Sequence, residues 1–221
     1  MWKDVEQNSK EWFGLRLGKV TSSNFAKIMA NEDKAFGKPA LEYAQRTAVE
    51  SVTHSRLETY SNSFMDRGHE YEPIAIAAYE AETFNKVTNG GFFSINGQIG
   101  DSPDGLVGED GCIEVKTVIY NQHFKRLEKG GIDTAYKWQI QGHLWVGERE
   151  WCDFISYCPE MPESKKLYVH RVERDEDMIE RLPARVLSGA SQYKKDGTLK
   201  GTADKLRKSG ALRSLGLGRF S

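Results

Sequence analysis

The spacing of apolar residues changes from helical to strand-like at Asn89-Gly90-Gly91, and this change constrains the fold more than any other feature of the chain. Before it, three segments space their apolar residues by three or four positions, which is typical of amphipathic helices. After it come short runs bounded by glycine, then a helical segment, two further strands and a late helix. This order predicts one mixed α/β domain with a central β-sheet flanked by helices.

The predicted helices and strands follow from this pattern. Helices are expected within residues 9–30 (two short ones), 39–53, 67–83, 135–147 and 175–193, and strands within 91–97, 99–108, 112–120, 150–158 and 166–175. Because proline cannot donate a helical hydrogen bond, Pro73 predicts that the third helical segment starts near Glu70 or bends there, and Pro183 predicts an interruption of the last one. One apolar stripe of the third segment is expected to comprise Ile74, Ala77, Ala78 and Ala81.

Composition limits the classes of protein to which the chain can belong. Its 221 residues are enough for one well-buried domain, and a hydrophobic content of 38% is that of a globular protein. The net charge of −1 gives no sign of a nucleic-acid or membrane partner, and nothing in the sequence predicts a membrane span or a signal peptide. The three cysteines lack CxxC spacing, which argues against a disulfide framework or a zinc site and predicts the reducing cytoplasm.

The end of the chain differs in composition from the rest. Residues 194–221 are rich in lysine, arginine, glycine and serine. We therefore expect a folded domain at 1–193 followed by a basic, flexible tail at 194–221. Such a tail could contact a DNA backbone through charge alone, without sequence preference.

The segment SPDGLVGEDGCIEVK, residues 102–116, brings acidic and basic side chains together. If its last part forms a strand, the side chains alternate, so that Ile113 and Val115 face a core while Glu114 and Lys116 share the other face. A short hairpin can return Asp104 from the preceding turn to a position beside Glu114. Two carboxylates and an ammonium group would then converge at one place.

This convergence predicts a particular chemistry. Crowded carboxylates resist ionisation unless a cation compensates them, and a hard divalent ion such as Mg²⁺ or Mn²⁺ prefers oxygen ligands. Such an ion polarises a phosphoryl oxygen and lowers the pKa of bound water, while a lysine can stabilise the negative charge that develops. The residues alone leave a purely structural role open as the alternative, because Pro-Asp-Gly is a common turn and Glu-x-Lys is an ordinary pair on a solvated strand.

The pattern SPDG followed by IEVK resembles the PD-(D/E)xK nuclease core. The motifs EWFGLRLGKVTSS, RGHEYEP and YKWQIQGHLW resemble, in the same order, motifs of phage lambda exonuclease and its YqaJ-like viral recombinase relatives. The resemblance extends from about Trp12 to about Arg174. It implies a nuclease domain at 1–193 with a restriction-endonuclease-like catalytic core at about 66–174.

The resemblance assigns a metal site. It implies that Asp104, Glu114 and the carbonyl of Val115 hold Mg²⁺, with Mn²⁺ as the alternative ion, and that Glu72 supports them. The residues around Glu72 add an argument of their own, since its neighbours three, four and seven positions later are apolar. A carboxylate on such a stripe needs a partner, which could be the metal or, alternatively, an arginine or a helix-end amide. Glu70 is the second candidate for the helix ligand.

The remaining catalytic residues are expected near the acids. Lys116 and Gln139 would position the attacking water, and the resemblance implies that Gln139 lies close to Lys116. Gln139 shares a helix face with His143, which is the only histidine of the chain with a position of interest for the site. Gln141 lies on a different face of that helix and ranks second to Gln139.

The resemblance also implies a pocket for the 5′-phosphate of the digested strand, formed by Arg16, Ser23 and Ser102. Arginine can bind two phosphate oxygens at once, and hydroxyls can donate to them. Without the resemblance, Ser23 would be a helix cap and Arg16 a member of a surface ion pair.

Taken together, the resemblance implies a Mg²⁺-dependent 5′-to-3′ exonuclease that digests one strand of linear double-stranded DNA to mononucleotides and leaves a 3′ overhang. It further implies a homotrimer around DNA ends, a single-strand annealing protein as partner, and a phage or prophage protein in the bacterial cytoplasm. Two alternatives remain: a PD-(D/E)xK endonuclease of restriction or repair type, and a non-catalytic relative that only binds DNA ends.

Overall fold

A computed structural model describes residues 1–31, 34–57 and 63–191 of the chain. In these ranges the helices are α1 (Lys10–Arg16), α2 (Phe25–Met29), α3 (Lys38–Thr53), α4 (Ser63–Thr83), α5 (Tyr120–Lys129), α6 (Thr134–Val146) and α7 (Glu176–Ser191). The strands are β1 (Trp2–Lys3), β2 (Val20–Thr21), β3 (Val87–Asn89), β4 (Phe92–Ile95), β5 (Ile99–Asp101), β6 (Gly105–Val107), β7 (Gly111–Thr117), β8 (Trp151–Tyr157) and β9 (Leu167–Glu173). The tail predicted at 194–221 lies outside the described residues.

The larger of two sheets has its strands in the order β3-β6-β7-β8-β9, so that β7 lies at its centre. β7 runs antiparallel to β6 and parallel to β8, while β3 and β9 pair antiparallel at the two edges. A parallel pair needs a crossover connection, and α5 and α6 provide it. The strand that carries Glu114 and Lys116 is therefore held on both sides.

The two faces of this sheet pack against different helices. On one face Ile113 and Val115 contact Ala75 and Tyr79 of α4. On the other face β7 and β8 pack against a larger apolar cluster that includes side chains of α2, α6 and α7. The alternation predicted for β7 is thus present, and the predicted mixed α/β domain with a central sheet between helices is confirmed.

A smaller sheet has the strand order β1-β4-β5-β2, in which β2 runs parallel to β5. Thr21 is paired with Gly100, which places the next residues of the two strands, Ser22 and Asp101, side by side. The sequence does not predict β1 or β2, because strands of two residues are too short to show alternation. The pairing of β2 with β5 therefore fixes the position of Asp101.

The prolines of α4 and α7 both lie inside their helices. A helix start near Glu70 is wrong, because α4 begins at Ser63, whereas a bend at Pro73 stays a prediction. The interruption predicted at Pro183 is wrong, because α7 continues through it. A proline in a helix leaves free the carbonyl four residues earlier, which for Pro73 belongs to His69. His69 and Pro73 are both exposed, so water can satisfy that carbonyl and the helix need not end.

The apolar stripe predicted for α4 is also wrong. Ile74 has 48% of its surface exposed, whereas Ala75 and Tyr79 are fully buried. The buried stripe is therefore the one that begins at Glu72, since Ala75 and Tyr79 follow it by three and seven residues. This rotation of the helix turns Glu72 towards the sheet rather than towards solvent.

α5 replaces the end of a predicted strand. The segment 112–120 was expected to be extended throughout, but β7 ends at Thr117 and α5 begins at Tyr120. The buried side of α5 is polar: His123 and Arg126 contact the hydroxyl of Ser156 at 2.9 and 2.8 Å, and Arg126 pairs with Asp133 at 2.6 Å. A helix that buries polar residues gives no apolar periodicity, so the sequence pattern could not reveal it.

A buried hydrogen-bond network fixes α4 against the sheet. The Tyr79 hydroxyl donates to Oδ2 of Asp153 at 2.7 Å and accepts from Asn85 at 3.0 Å. Arg171 of β9 donates to both oxygens of the same Asp153 at 2.8 and 2.9 Å. Burial, followed by the bond to Asp153, raises the pKa of Tyr79 to about 12. Because Glu72 lies two turns before Tyr79, this network also sets the position of Glu72.

Substituting Tyr79→Phe is expected to lower the free energy of unfolding by about 1–3 kcal/mol, because a buried bond to a carboxylate is lost. A raised pKa in the folded state means that the wild type keeps this contribution below pH 10 and loses it as the pH rises towards 12. Urea unfolding of both proteins from pH 7 to 11 measures the difference. It should be constant up to about pH 10 and shrink above it; a difference that grows above pH 10 would contradict this account of the network.

Candidate active site

The site is built around the β6–β7 hairpin. Asp104 precedes β6, and its backbone N–H donates to the carbonyl of Ile113 at 3.1 Å. Its side chain accepts a hydrogen bond from the N–H of Val115, with 2.6 Å between Oδ2 and that nitrogen. The hairpin thus returns Asp104 to the level of Glu114 and Val115, as the sequence predicted, because the short turn at residues 108–110 keeps the two strands in register.

Glu114 is the most tightly held side chain of the site, with 1% of its surface exposed. Its Oε1 accepts from the Lys116 ammonium and from Nε2 of Gln139, the latter at 2.6 Å. Its Oε2 lies 2.9 Å from Nε2 of His143. Lys116 and Gln139, both predicted for the site, therefore contact Glu114 directly. The ring of Tyr136, one turn before Gln139 on α6, lies beneath the Lys116 ammonium at 5.4 Å.

Glu72 approaches the same acids from α4, on the opposite side of the sheet. Its carboxylate is half-buried and interacts electrostatically with Glu114 and Lys116. Glu70, the second candidate, is exposed. Of the two helix acids, the structure places Glu72 beside the cluster.

Gln141 lies away from the cluster. It is buried and binds the connection between β9 and α7 through the carbonyl of Glu173 and the N–H of Asp175, at 2.9 and 3.0 Å. Its amide is therefore used in packing α6 against that connection, and of the two glutamines only Gln139 reaches the acids.

The acids of the cluster differ in their ease of ionisation. Burial, together with the charges of Glu114 and Glu72, raises the pKa of Asp104 well above its usual range. Burial and Glu114 also raise the pKa of Glu72. Burial acts in the same direction on Glu114, but the charge of Lys116 and the bond from His143 outweigh it and lower the pKa of Glu114 to about 2. The cluster therefore holds more negative charge than Lys116 alone can compensate.

The donor set fits a hard divalent cation. Asp104, Glu114 and Glu72 offer carboxylate oxygens, and a divalent cation would offset the burial and the neighbouring negative charges that raise the pKa of Asp104 and Glu72. Within the described ranges no group of three or more histidine, cysteine or acidic side chains is already arranged as a metal cage. Both oxygens of Glu114 hold donors, although each carboxylate oxygen has a second lone pair.

A cationic cleft of about 260 Å³ is lined in part by His69, which lies close enough to Glu72 that its charge acts to lower the pKa of Glu72. Arg16, Lys19, Arg46 and Arg56 line it, together with the single acid Glu50. Arg46 pairs with Glu50 at 3.0 Å, whereas none of the other three cations makes an ion pair with a described residue. The cleft is therefore suited to an anion.

Arg16 occupies this cleft on an aromatic support. Its guanidinium lies 4.2 Å from the centre of the Trp12 ring, and burial lowers its pKa. The Trp12 indole N–H donates to the Ser102 hydroxyl at 2.8 Å, and that hydroxyl donates to the carbonyl of Gly91 at 2.6 Å. The hydroxyl of Ser102, which lies two residues before Asp104, has thus used its only hydrogen for Gly91. Ser102 therefore supports Arg16 indirectly, by orienting Trp12. The third predicted residue, Ser23, is exposed and contacts the cleft residue Thr21 at 3.3 Å.

Sequence reasoning missed two parts of this region. Arg56 lies in the cleft over the ring of Phe13, at 4.0 Å, close enough to Arg16 that its charge contributes to lowering the pKa of Arg16. Asp101 binds the far side of His143. Neither Arg56 nor Asp101 belongs to a motif that the sequence would reveal. The four-residue spacing of Gln139 and His143 does indicate that His143 faces the site, but it gives no sign of Asp101.

Comparison with known proteins places the chain in a family. The model of the YqaJ-like viral recombinase domain matches residues 11–150, which include Arg16, the acids and Gln139. The chain belongs to the YqaJ-like viral recombinase family. This confirms the resemblance recognised in the sequence, and it makes the chain a member of a family of nucleases that act on DNA. No curated protein sequence matches it.

Solved structures agree with this membership of the YqaJ-like family. The alkaline exonuclease LHK-Exo from Laribacter hongkongensis is 31% identical with a TM-score of 0.76, and its complex with dAMP is 33% identical with a TM-score of 0.77. Both alignments cover 92% of this chain and 98% of the other. A phage related exonuclease from Haemophilus somnus 129PT, 16% identical over 80% of this chain and 94% of the other with a TM-score of 0.64, shares the fold.

Among the described helices of this YqaJ-like chain, none combines the length and the apolar character that crossing a membrane requires.

Proposed function

We propose that this protein is a Mg²⁺-dependent exonuclease that digests one strand of linear double-stranded DNA from its 5′ end. The observation that carries the proposal is the combination of two features: a cluster of crowded acids, and a cleft whose lining includes three cations that make no ion pair with a described residue. The first suits a metal ion at the scissile phosphate, and the second suits a terminal phosphate one nucleotide away. An enzyme that binds both would release 5′-mononucleotides and leave a 3′ overhang.

Asp104, Glu114 and the carbonyl of Val115 would hold the metal, with support from Glu72. When bound, Mg²⁺ or Mn²⁺ supplies Lewis acidity at the phosphoryl oxygen and a bound water of lowered pKa. The chain itself supplies position and charge. Asp104 is fixed by the N–H of Val115, so its free oxygen has a defined direction.

Lys116 and Gln139 would act on the reacting phosphate and the attacking water. Burial alone would lower the pKa of Lys116, but Glu114 and Asp104 raise it, so the side chain is an ammonium group and cannot accept a proton. Its role is then to stabilise the negative charge that develops on the phosphate. Gln139, at 2.6 Å from Glu114, has an amide oxygen left to accept from water.

The cleft would bind the 5′-phosphate through Arg16. Ser23 and Ser102 would complete the pocket, with Ser102 acting through Trp12 because its donor is engaged. Arg56 would add a second guanidinium, and two cations match the two charges of a terminal phosphate.

The similar LHK-Exo supports the reaction type, since it is an alkaline exonuclease and has been captured with dAMP, a mononucleotide. From the family we further propose a homotrimer that surrounds the DNA, a single-strand annealing protein that receives the 3′ overhang, and a place in the cytoplasm of a bacterial host that carries a phage or prophage.

Digestion of defined DNA substrates tests the proposal. Linear duplex with a 5′-phosphate should be converted to mononucleotides in Mg²⁺, the same duplex in EDTA should remain intact, and closed circular DNA should remain intact in both. Cleavage of the closed circle would support the restriction-type endonuclease instead. Binding of ends without product in any metal would indicate the non-catalytic relative.

A further inference from the structure

A buried chain of polar groups lies behind Glu114. His143 has 1% of its surface exposed, and its two ring nitrogens each face a carboxylate: Nδ1 lies 2.7 Å from Oδ1 of Asp101 and Nε2 lies 2.9 Å from Oε2 of Glu114. Asp101 is completely buried, and the Ser22 hydroxyl donates to the same Oδ1. The chain thus runs from the small sheet, through α6, to the centre of the large sheet.

The donor and the acceptor can be assigned for each hydrogen bond of His143. Ionised carboxylates only accept hydrogen bonds, so His143 donates to both of them as an imidazolium cation, which carries an N–H on each ring nitrogen. The other oxygen of Asp101, Oδ2, is buried without a hydrogen-bond partner. An unpaired buried carboxylate oxygen costs stability, which indicates that Asp101 is present to hold His143 rather than to stabilise the fold.

The three side chains that contact Glu114 differ in whether they are also needed at the substrate. Lys116 and Gln139 are only half-buried, and the proposed function gives both a second task at the phosphate and the water. His143 is anchored at its far side and has no route to solvent among its described neighbours. When the first two side chains turn to substrate, His143 is the contact that keeps Glu114 in place.

We propose that His143, backed by Asp101, is a positioning residue that orients Glu114 for divalent-ion binding and thereby for strand cleavage. This inference rests on the proposed function. His143 does not touch the DNA; it acts through Oε2 of Glu114, as partners behind a metal ligand commonly do. The alternative is that the chain only holds α6 against the two sheets.

Two substitutions separate these roles. Asparagine at this position can replace the donor that Nδ1 presents to Asp101 but cannot reach Glu114, whereas the longer glutamine can present a donor at the place of Nε2. His143→Asn is therefore expected to weaken Mn²⁺ binding, measured by titration calorimetry, and to lower kcat on linear DNA, each by about 10- to 100-fold. His143→Gln should lose far less in both, and the KM for DNA ends should change little in either.

Two further variants keep the test informative if these fold poorly. Asp101→Asn leaves Glu114 untouched and should weaken Mn²⁺ binding in the same direction. His123 provides a matched control, since it is equally buried but its ring nitrogens face Ser156 and the carbonyl of Lys165 rather than Glu114 and Asp101. His123→Asn should lower the melting temperature without changing Mn²⁺ affinity.

The possible outcomes differ clearly. Equal losses in His143→Asn and His143→Gln that follow their melting temperatures would overturn the positioning role, and so would wild-type Mn²⁺ affinity in His143→Asn, while the proposed function would stand in both cases. A wild-type protein that neither binds Mn²⁺ nor digests linear DNA would overturn the proposed function and this inference with it.

Discussion

Lys116→Ala is expected to reduce the rate of nucleotide release from linear duplex DNA by about 10²- to 10³-fold, the usual cost of removing one group that stabilises a transition-state charge. Binding of DNA ends should remain, because Lys116 contacts Glu114 and the ring of Tyr136 and does not line the cationic cleft. Release of labelled nucleotide in Mg²⁺ measures the rate, and fluorescence anisotropy in Ca²⁺ with a 3′-labelled duplex measures end binding.

Lys86→Ala is the matched control for this experiment, since Lys86 is an exposed lysine between α4 and β3. It should digest DNA as the wild type does. Equal digestion by wild type and Lys116→Ala would show that the lysine is assigned to the wrong role. Loss of cleavage and end binding together would mean that Lys116 serves in binding.

Arg16→Ala is expected to remove the advantage of a 5′-phosphate. A hydrogen bond to a charged group contributes about 1.5–3 kcal/mol, so digestion of phosphorylated ends should slow by about 10- to 100-fold. Digestion of 5′-hydroxyl ends should hardly change, because such ends give Arg16 no phosphate to bind. Initial rates on the two substrates, compared within each protein, measure the effect and correct for differences in overall activity.

Neighbouring residues refine this prediction. Arg56→Ala should show the same selective loss, since Arg56 lies beside Arg16 in the cleft. Ser102→Ala should act more weakly, through the orientation of Trp12. A proportional slowing of phosphorylated and hydroxyl ends in Arg16→Ala would contradict a 5′-phosphate pocket and would assign Arg16 to general DNA binding.

The parts of the site that the sequence predicted are those set by local geometry. The alternation of β7 places Glu114 and Lys116 together, a three-residue turn returns Asp104 to them, and the helical spacing of α6 aligns Gln139 with His143. Each of these relations spans few residues and depends only on strand or helix period. They could therefore be read without a tertiary structure.

The parts that escaped prediction depend on contacts between distant segments. Asp101 ends a three-residue strand, and it reaches Ser22 only because β2 pairs with β5 across more than seventy residues of sequence. Arg56 follows α3 and belongs to no motif, yet it meets Phe13 in the cleft. Single-chain periodicity holds no information about such pairings.

The rotation of α4 shows how a local pattern can mislead. Ile74 and the alanines after it form a plausible apolar stripe, but the sheet instead buries the face of Ala75 and Tyr79, where the tyrosine hydroxyl finds Asp153. The two faces of α4 are similarly apolar, and the hydrogen bond from Tyr79 to Asp153 decides which of them is buried. That choice also determines that Glu72, and not Glu70, faces the acids.

The most direct test of the central claim is the anomalous scattering of Mn²⁺ soaked into crystals of the protein. We expect a peak bound by carboxylate oxygens of Asp104 and Glu114 at about 2.0–2.2 Å, close to Glu72 and within reach of the phosphate that Lys116 would contact. A Mn²⁺ ion bound elsewhere, with Asp104 and Glu114 keeping only protein partners, would contradict it.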